Sequence, residues 1–334
     1  MKFPIVVLVG VALLGPSPAL AHHTGPTGIG GNGGGLTVQG PETIEAGKGA
    51  VGFQLTYLRT KQRSATELED LAALDIHAHD TDYIATAVIG AAYGVSDRLT
   101  LIAELPYLRR AGLREGEALP VSGVNDLGNI SSLGDASILA KYRLVGSDIS
   151  GAALIGGIKL PTGSTDRMSR VGELLETEHQ PGSGSWDYYL GGAAGTEVGW
   201  VSIDASLLYQ FSTSGAQATR LGDRLQGGVA LSHRFGPAEH HHDHAGGADN
   251  EEHAHQSWDA FAEATVEWEG RQKVAGVVEE ATGGTAIWMT AGSRLNAASG
   301  YSVTVAAGVP IWQDIRPSHA DNRYRFTLSL AKAF

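Results

Sequence analysis

The sequence predicts an all-β fold, a transmembrane antiparallel up-and-down β-barrel of about twelve strands behind a cleaved signal peptide. Three observations predict it. The last stretch of the chain alternates greasy and wet side chains. The first residues have the layout of an export signal. The connections between strands alternate between long polar stretches and short turns.

Residues 323–334 carry Tyr324, Phe326, Leu328, Leu330 and Phe334 at even positions, against Arg323, Arg325, Thr327, Ser329 and Ala331. A period of two gives a strand one apolar face and one polar face. The length suits a tilted spanning strand, which needs roughly 9–11 residues. Lys332 falls on the greasy face near the expected headgroup level, where its amine can snorkel to water.

Met1–Ala21 reads as a signal peptide, with Lys2, an apolar stretch over Ile5–Leu14 and the small-x-small site Ala19-Leu20-Ala21. That apolar run is too short for a spanning helix. Composition agrees: hydrophobic residues make up 42% of the 334, and no cysteine is present. A membrane barrel needs apolar residues only at alternate positions. The net charge of −12 argues against a nucleic-acid surface. Residues 22–49 are Gly-rich and aperiodic and read as a flexible periplasmic segment. Their Gly28-x-Gly30-x-x-Gly33 lacks the strand before it and the helix after it that a dinucleotide site needs. Residues 50–334 form the barrel.

Alternation then marks the strands in turn. Val51, Phe53, Leu55 and Tyr57 mark the first, and Tyr83–Tyr93 forms the second. Leu99, Leu101, Ala103, Leu105 and Tyr107 mark the third. The fourth sets Ile138, Tyr142 and Leu144 against Ser137, Lys141 and Arg143. The fifth shows Leu154, Ile158 and Leu160 opposite Lys159, and the sixth begins at Trp186. The seventh alternates Ser202, Asp204, Ser206 and Gln210 with Val201, Ile203, Leu207 and Tyr209. The eighth sets Arg224, Gln226 and Arg234 against Leu225, Val229 and Leu231. The ninth sets Asp259, Glu263, Thr265 and Glu267 against Trp258, Val266 and Trp268. Ile287, Met289 and Arg294 mark the tenth, and Tyr301, Val303, Val305 and Val309 the eleventh.

Long polar connections follow the odd strands, over 59–82, 109–134 and 161–185. In the first of them Ser64-x-x-Glu67 ahead of Leu68 signals a capped helix. The connections after most even strands are tight turns such as Gly94–Asp97 and Gly146–Asp148. Outer-membrane barrels have this asymmetry of short periplasmic turns and longer outer loops. Aromatic residues gather at strand ends, where two interfacial girdles would lie.

If the apolar faces meet lipid, the opposite faces line a pore. Lys141, Arg143, Lys159, Asp204, Arg224, Asp259, Glu263, Glu267 and Arg325 are then the pore-lining candidates, together with Gln54, Glu104, Asp187, Arg234, Arg294 and Arg323. These charges either set up a transverse field across an open lumen or pair with one another and fill a narrow one.

Histidines supply the densest chemical signal. His240, His241, His242 and His244 are followed by His253 and His255, within a His-rich loop over 236–257. Parity puts this loop in the periplasm, beside His22 and His23 of the mature amino terminus. Neutral imidazoles with nearby carboxylates suit Zn, Cu or Ni. The irregular spacing specifies no fixed geometry. No resident cofactor is expected. His77-Ala78-His79-Asp80 falls on the outer side by the same parity.

The carboxy-terminal strand resembles the closing strand of bacterial outer-membrane barrels, whose assembly machinery reads a terminal Phe. Tyr93–Leu101, Glu104–Tyr107, Leu133–Ala136, Gly157–Gly163 and Tyr209–Phe211 resemble a family of outer-membrane transporters named for the meta-cleavage pathway of phenol degradation. The resemblance implies a barrel in the outer membrane of a Gram-negative bacterium, surrounded by lipid. It implies passage of small solutes, often aromatic, and the histidines add transition-metal ions as candidate solutes. The alternative is a plugged barrel serving as a metal-binding or adhesion scaffold. An enzyme is not expected: no Gly-x-Ser-x-Gly elbow occurs, and Ser232 and His233 fall on opposite faces of their strand.

Overall fold

The computed structural model describes residues 34–117, 123–146, 150–235 and 256–334. The proposed signal peptide, His22, His23, His240, His241, His242, His244, His253 and His255 lie outside these residues.

Twelve long strands follow in chain order: β1 (Gly49–Thr60), β2 (Tyr83–Ser96), β3 (Leu99–Glu117), β4 (Ser137–Gly146), β5 (Gly151–Lys159), β6 (Asp187–Val198), β7 (Val201–Phe211), β8 (Arg224–Phe235), β9 (Ser257–Glu269), β10 (Gly284–Asn296), β11 (Tyr301–Ile315) and β12 (Asn322–Ala333). Each pairs antiparallel with its chain neighbour, and β12 returns to pair with β1 in register from Ala50↔Ala333 to Leu58↔Arg325. The ring is therefore closed and leaves no unpaired edge, the condition for a sheet to stand in hydrocarbon.

Side-chain exposure alternates as the sequence requires. Along β8, Val229 and Leu231 are exposed while Ala230 between them is fully buried. Along β3, Leu101 and Leu105 point out and Ile102 and Glu104 point in. The large exposed apolar residues form the lipid-facing belt. At the end of the barrel where β1 begins and β12 ends, Trp200, His233, Phe235 and Trp258 stack in one aromatic cluster with ring centroids 4.3–5.0 Å apart. Lys332 sits beside Tyr301 at that end, its ammonium 5.1 Å from the ring centroid, and donates to the Ser299 carbonyl at 2.7 Å.

The opposite end carries the long connections. Helix α1 (Ala65–Ala73) begins at Ser64, and both halves of its capping box form. Its Leu68 is fully buried. Residues 109–134 differ from the sequence reading, which made them a loop. β3 runs on to Glu117 and pairs with a further strand, Gly123–Leu133. Register shifts at Arg110–Leu113, where Gly112 takes a φ of +65°, break the alternation that would have revealed the hairpin. Leu113, Leu127, Ile130 and Leu175 form a small core beneath it.

The segment before β1 also differs from expectation. Residues 34–48 lie inside the ring rather than free of it, because wall side chains take up their backbone groups.

Candidate functional site

Residues 34–48 cross the lumen from β9 and β10 to the β2–β3 turn. At one end, the backbone N–H groups of Leu36, Thr37 and Val38 all donate to Glu263 Oε2, at 3.0, 2.9 and 3.2 Å. Successive N–H groups aimed at one oxygen form an anion-binding nest. Here the anion is a wall carboxylate. Arg294 donates to the Gly35 carbonyl at 3.0 Å, and Lys141 to the Gly40 carbonyl at 3.2 Å. Gln39 N–H donates to Ser206 Oγ at 3.1 Å, and Ile44 N–H to Thr100 Oγ1 at 2.8 Å. A Cβ on Gly35 would collide with the Glu263 carboxylate, so the close approach requires glycine there.

The wall around this segment has two characters. On β8–β12 the inward charges pair. Arg325 meets Glu267 at 2.5 Å, Arg224 meets Glu269 at 2.9 Å, and Arg234 meets Asp259 at 2.8 Å. The Arg325 guanidinium also lies 4.4 Å from the ring centroid of Trp288, which is buried on the inner face. The inward charges on this side thus stand in pairs with one another. On β2–β7 an apolar patch faces inward: Ala92, Ile102, Leu139, Ile155, Tyr189, Ala193 and Leu208 form one buried cluster, with Ile44 of the crossing segment packed on it.

Toward the loop end, Lys159 is the hub of a buried triad, 2.6 Å from Asp135 and 3.1 Å from Asp187. Asp135 also accepts from the N–H groups of Ser183 and Gly163 at 2.9 Å each, which ties loop 160–186 into the barrel mouth. A cavity of about 40 Å³ remains between Glu104, Leu108, Lys159, Pro181, Tyr189 and Leu221. That is room for water, and far less than the ~150 Å³ of a cavity that holds benzene. In this conformation this cavity admits no aromatic ring.

All nine pore-lining candidates stand on the inner face. Glu263 and Lys141 hold the crossing segment. Lys159, Arg224, Asp259, Glu267 and Arg325 sit in ion pairs with the wall or mouth. Arg143 donates to the Asp97 carbonyl at the rim, at 2.7 Å. Asp204 is buried beside the segment. The sequence reading missed the inward apolar patch, because Ile102, Leu139, Ile155 and Leu208 differ from lipid-facing residues in parity alone.

A second cluster lies outside the membrane span, among the loops. His79, His319 and the Glu176–His179 turn converge there, with Glu115 at the end of β3. Burial pushes the Glu178 carboxyl up to about 8 and the His319 imidazole down to about 3.

Residues 72–242, just over half of the chain, match the family described as "Putative MetA-pathway of phenol degradation". The chain belongs to this family. Among solved structures, this chain is similar to the COG4313 outer membrane channel from Pseudomonas putida F1. The identity is 16% and the TM-score 0.55, over 88% of this chain and 97% of that one. It is also similar to LpxR from Salmonella typhimurium, with 12% identity and a TM-score of 0.43 over 85% and 99% of the two chains. The Ralstonia pickettii toluene transporter TbuX gives 10% identity and a TM-score of 0.41 over 92% and 96%. No curated protein matches. This barrel is a protein of the Gram-negative outer membrane.

Proposed function

We propose that this protein is a channel that carries small apolar solutes of the phenol class across the outer membrane, and that residues 34–48 gate it. The inward apolar patch on β2–β7 carries this reading. The wall of a water-filled porin is polar. A buried apolar surface inside a barrel instead offers a ring about 25 cal/mol per Å² of area removed from water. Ile44 of the crossing segment packs on that surface, and the segment's anchors are polar groups that can exchange with water. The family description agrees with the solute class.

Metal ions as solutes rest on the histidine tract alone. The alternative of a permanently plugged scaffold draws on the same crossing segment, and transport measurements separate the two. Uptake of labelled phenol at low external concentration is expected to fall when the gene is deleted and to return with the wild-type chain. Equal uptake in both strains would remove the proposal.

A further inference from the structure

The loop end holds a buried constellation that neither the pore reading nor the family accounts for. His79, on the connection between β1 and β2, faces Glu178 on the connection between β5 and β6, with Nδ1 3.8 Å from Glu178 Oε1. One donor atom from each of His79, Glu176, Glu178 and His179 lies within 4.8 Å of the others. His319, from the connection between β11 and β12, brings Nε2 to 3.6 Å from the same Glu178 oxygen. Its backbone runs beside that of His79, whose N–H donates to the Ser318 carbonyl at 2.8 Å.

We propose that these side chains form a binding site for one divalent transition-metal ion, with His79, Glu178 and Glu176 as ligands and His179 beside them. Two observations besides proximity point to an ion. First, His79 Nδ1 and Glu178 Oε2 are buried and accept no hydrogen bond among the described residues. Buried polar atoms in proteins are mostly partnered, and two orphans facing other donor atoms mark a place that an ion can fill. Second, His79 is already oriented as a ligand. Its Nε2 lies 3.5 Å from Glu115 Oε1, so in the neutral ring a hydrogen held on that nitrogen leaves the Nδ1 lone pair facing Glu178. A histidine held by a carboxylate on its far nitrogen is the usual outer-shell arrangement around zinc.

The donor set suits Zn, Co or Ni better than Ca or Mg, because imidazole prefers the borderline metals. Ligand atoms about 2.0–2.2 Å from one ion require the four side chains to close slightly around it. Arg110 donates to His179 Nδ1 at 3.3 Å, so His179 presents N–H to Glu178 and becomes a ligand only when Arg110 turns away. A bound ion would tie the connection between β1 and β2 to that between β5 and β6 and so clamp the outer mouth of the barrel.

The test uses the full chain in detergent with Zn²⁺ or Co²⁺ alone, and compares wild type with Glu178→Gln, His79→Gln and Glu115→Gln. Because the tract 239–255 also offers imidazoles, two readouts separate the sites. One is the Zn X-ray absorption signature of mixed histidine and carboxylate ligands. The other is the rise in heat-denaturation midpoint on adding metal. Wild type is expected to show both, and Glu178→Gln and His79→Gln to lose both. Glu115→Gln should weaken binding by about 10–100-fold. Glu178→Gln is isosteric and removes a buried acid, so its metal-free barrel should remain folded, and Glu115→Gln perturbs the fold least. Metal responses equal to wild type in all three variants, or an all-histidine absorption signature in wild type, would overturn the site. Neither outcome bears on phenol uptake, which is read separately.

Discussion

Deleting residues 34–48 is expected to turn a closed barrel into a conducting one. The wild-type protein in a planar bilayer should stay near the baseline, and the deletion should give discrete, long-lived openings. The reason lies in what the segment does. It supplies donors to Glu263 and Ser206 and acceptors to Arg294 and Lys141, so it bridges walls on opposite sides of the lumen. The twelve-strand ring itself does not depend on it, since β1 pairs on both sides without help. A point substitution gives the graded version. Glu263→Ala removes a carboxylate that accepts three backbone N–H bonds. Hydrogen bonds to charged groups are each worth about 1.5–3 kcal/mol. Even a net loss of about 3 kcal/mol raises the detached population roughly a hundredfold. Glu263→Ala should therefore flicker open where wild type does not, and Glu263→Gln, which keeps one acceptor oxygen, should lie between.

The second large effect is on stability. Lys159→Met is expected to cost about 3–5 kcal/mol, the usual penalty for breaking a buried charge pair from one side. The ammonium of Lys159 sits between Asp135 and Asp187, and all three side chains are less than a tenth exposed. Methionine fills the same volume but leaves two carboxylates facing each other without a cation. Some of the loss should return in Lys159→Met combined with Asp187→Asn, because that pair of changes removes one of the uncompensated charges. Urea titration of the protein folded into lipid vesicles measures both. A Lys159→Met midpoint equal to wild type would mean that water already reaches the triad.

Much of the architecture was legible because alternation is a local property. The faces of β7 and β12 could be read from neighbouring residues alone, and every strand proposed from the sequence has its counterpart in the ring. Ser64 and Glu67 marked a helix start for the same reason, since both partners of a capping box lie within one turn. Reading failed where structure depends on distant partners. Nothing in Gly34–Lys48 alternates, and Glu263 stands over two hundred residues away. An inward acid whose cross-strand partners are Ala230 and Thr290 was the one hint that a donor must come from elsewhere. The outer cluster was half legible. His77-Ala78-His79-Asp80 stood out, but Glu178 and His319 belong to other loops and carry no shared spacing. The hairpin at 109–134 was hidden by its bulge. The metal reading of the 239–255 histidines falls on residues outside those described.

A site-directed spin-label scan along β7, from Val201 to Phe211, tests the two-faced wall most directly, and the absence of native cysteine makes each single-cysteine variant clean. In lipid vesicles, labels at 203, 205, 207 and 209 should collide with oxygen dissolved in the bilayer. Labels at 204, 206, 208 and 210 should be shielded from it. Leu208 decides most, because its chemistry suits lipid while the structure buries it on the inner wall. A period of two with position 208 shielded is the expected result. Oxygen contact at 208, or a profile with no period of two, would contradict it.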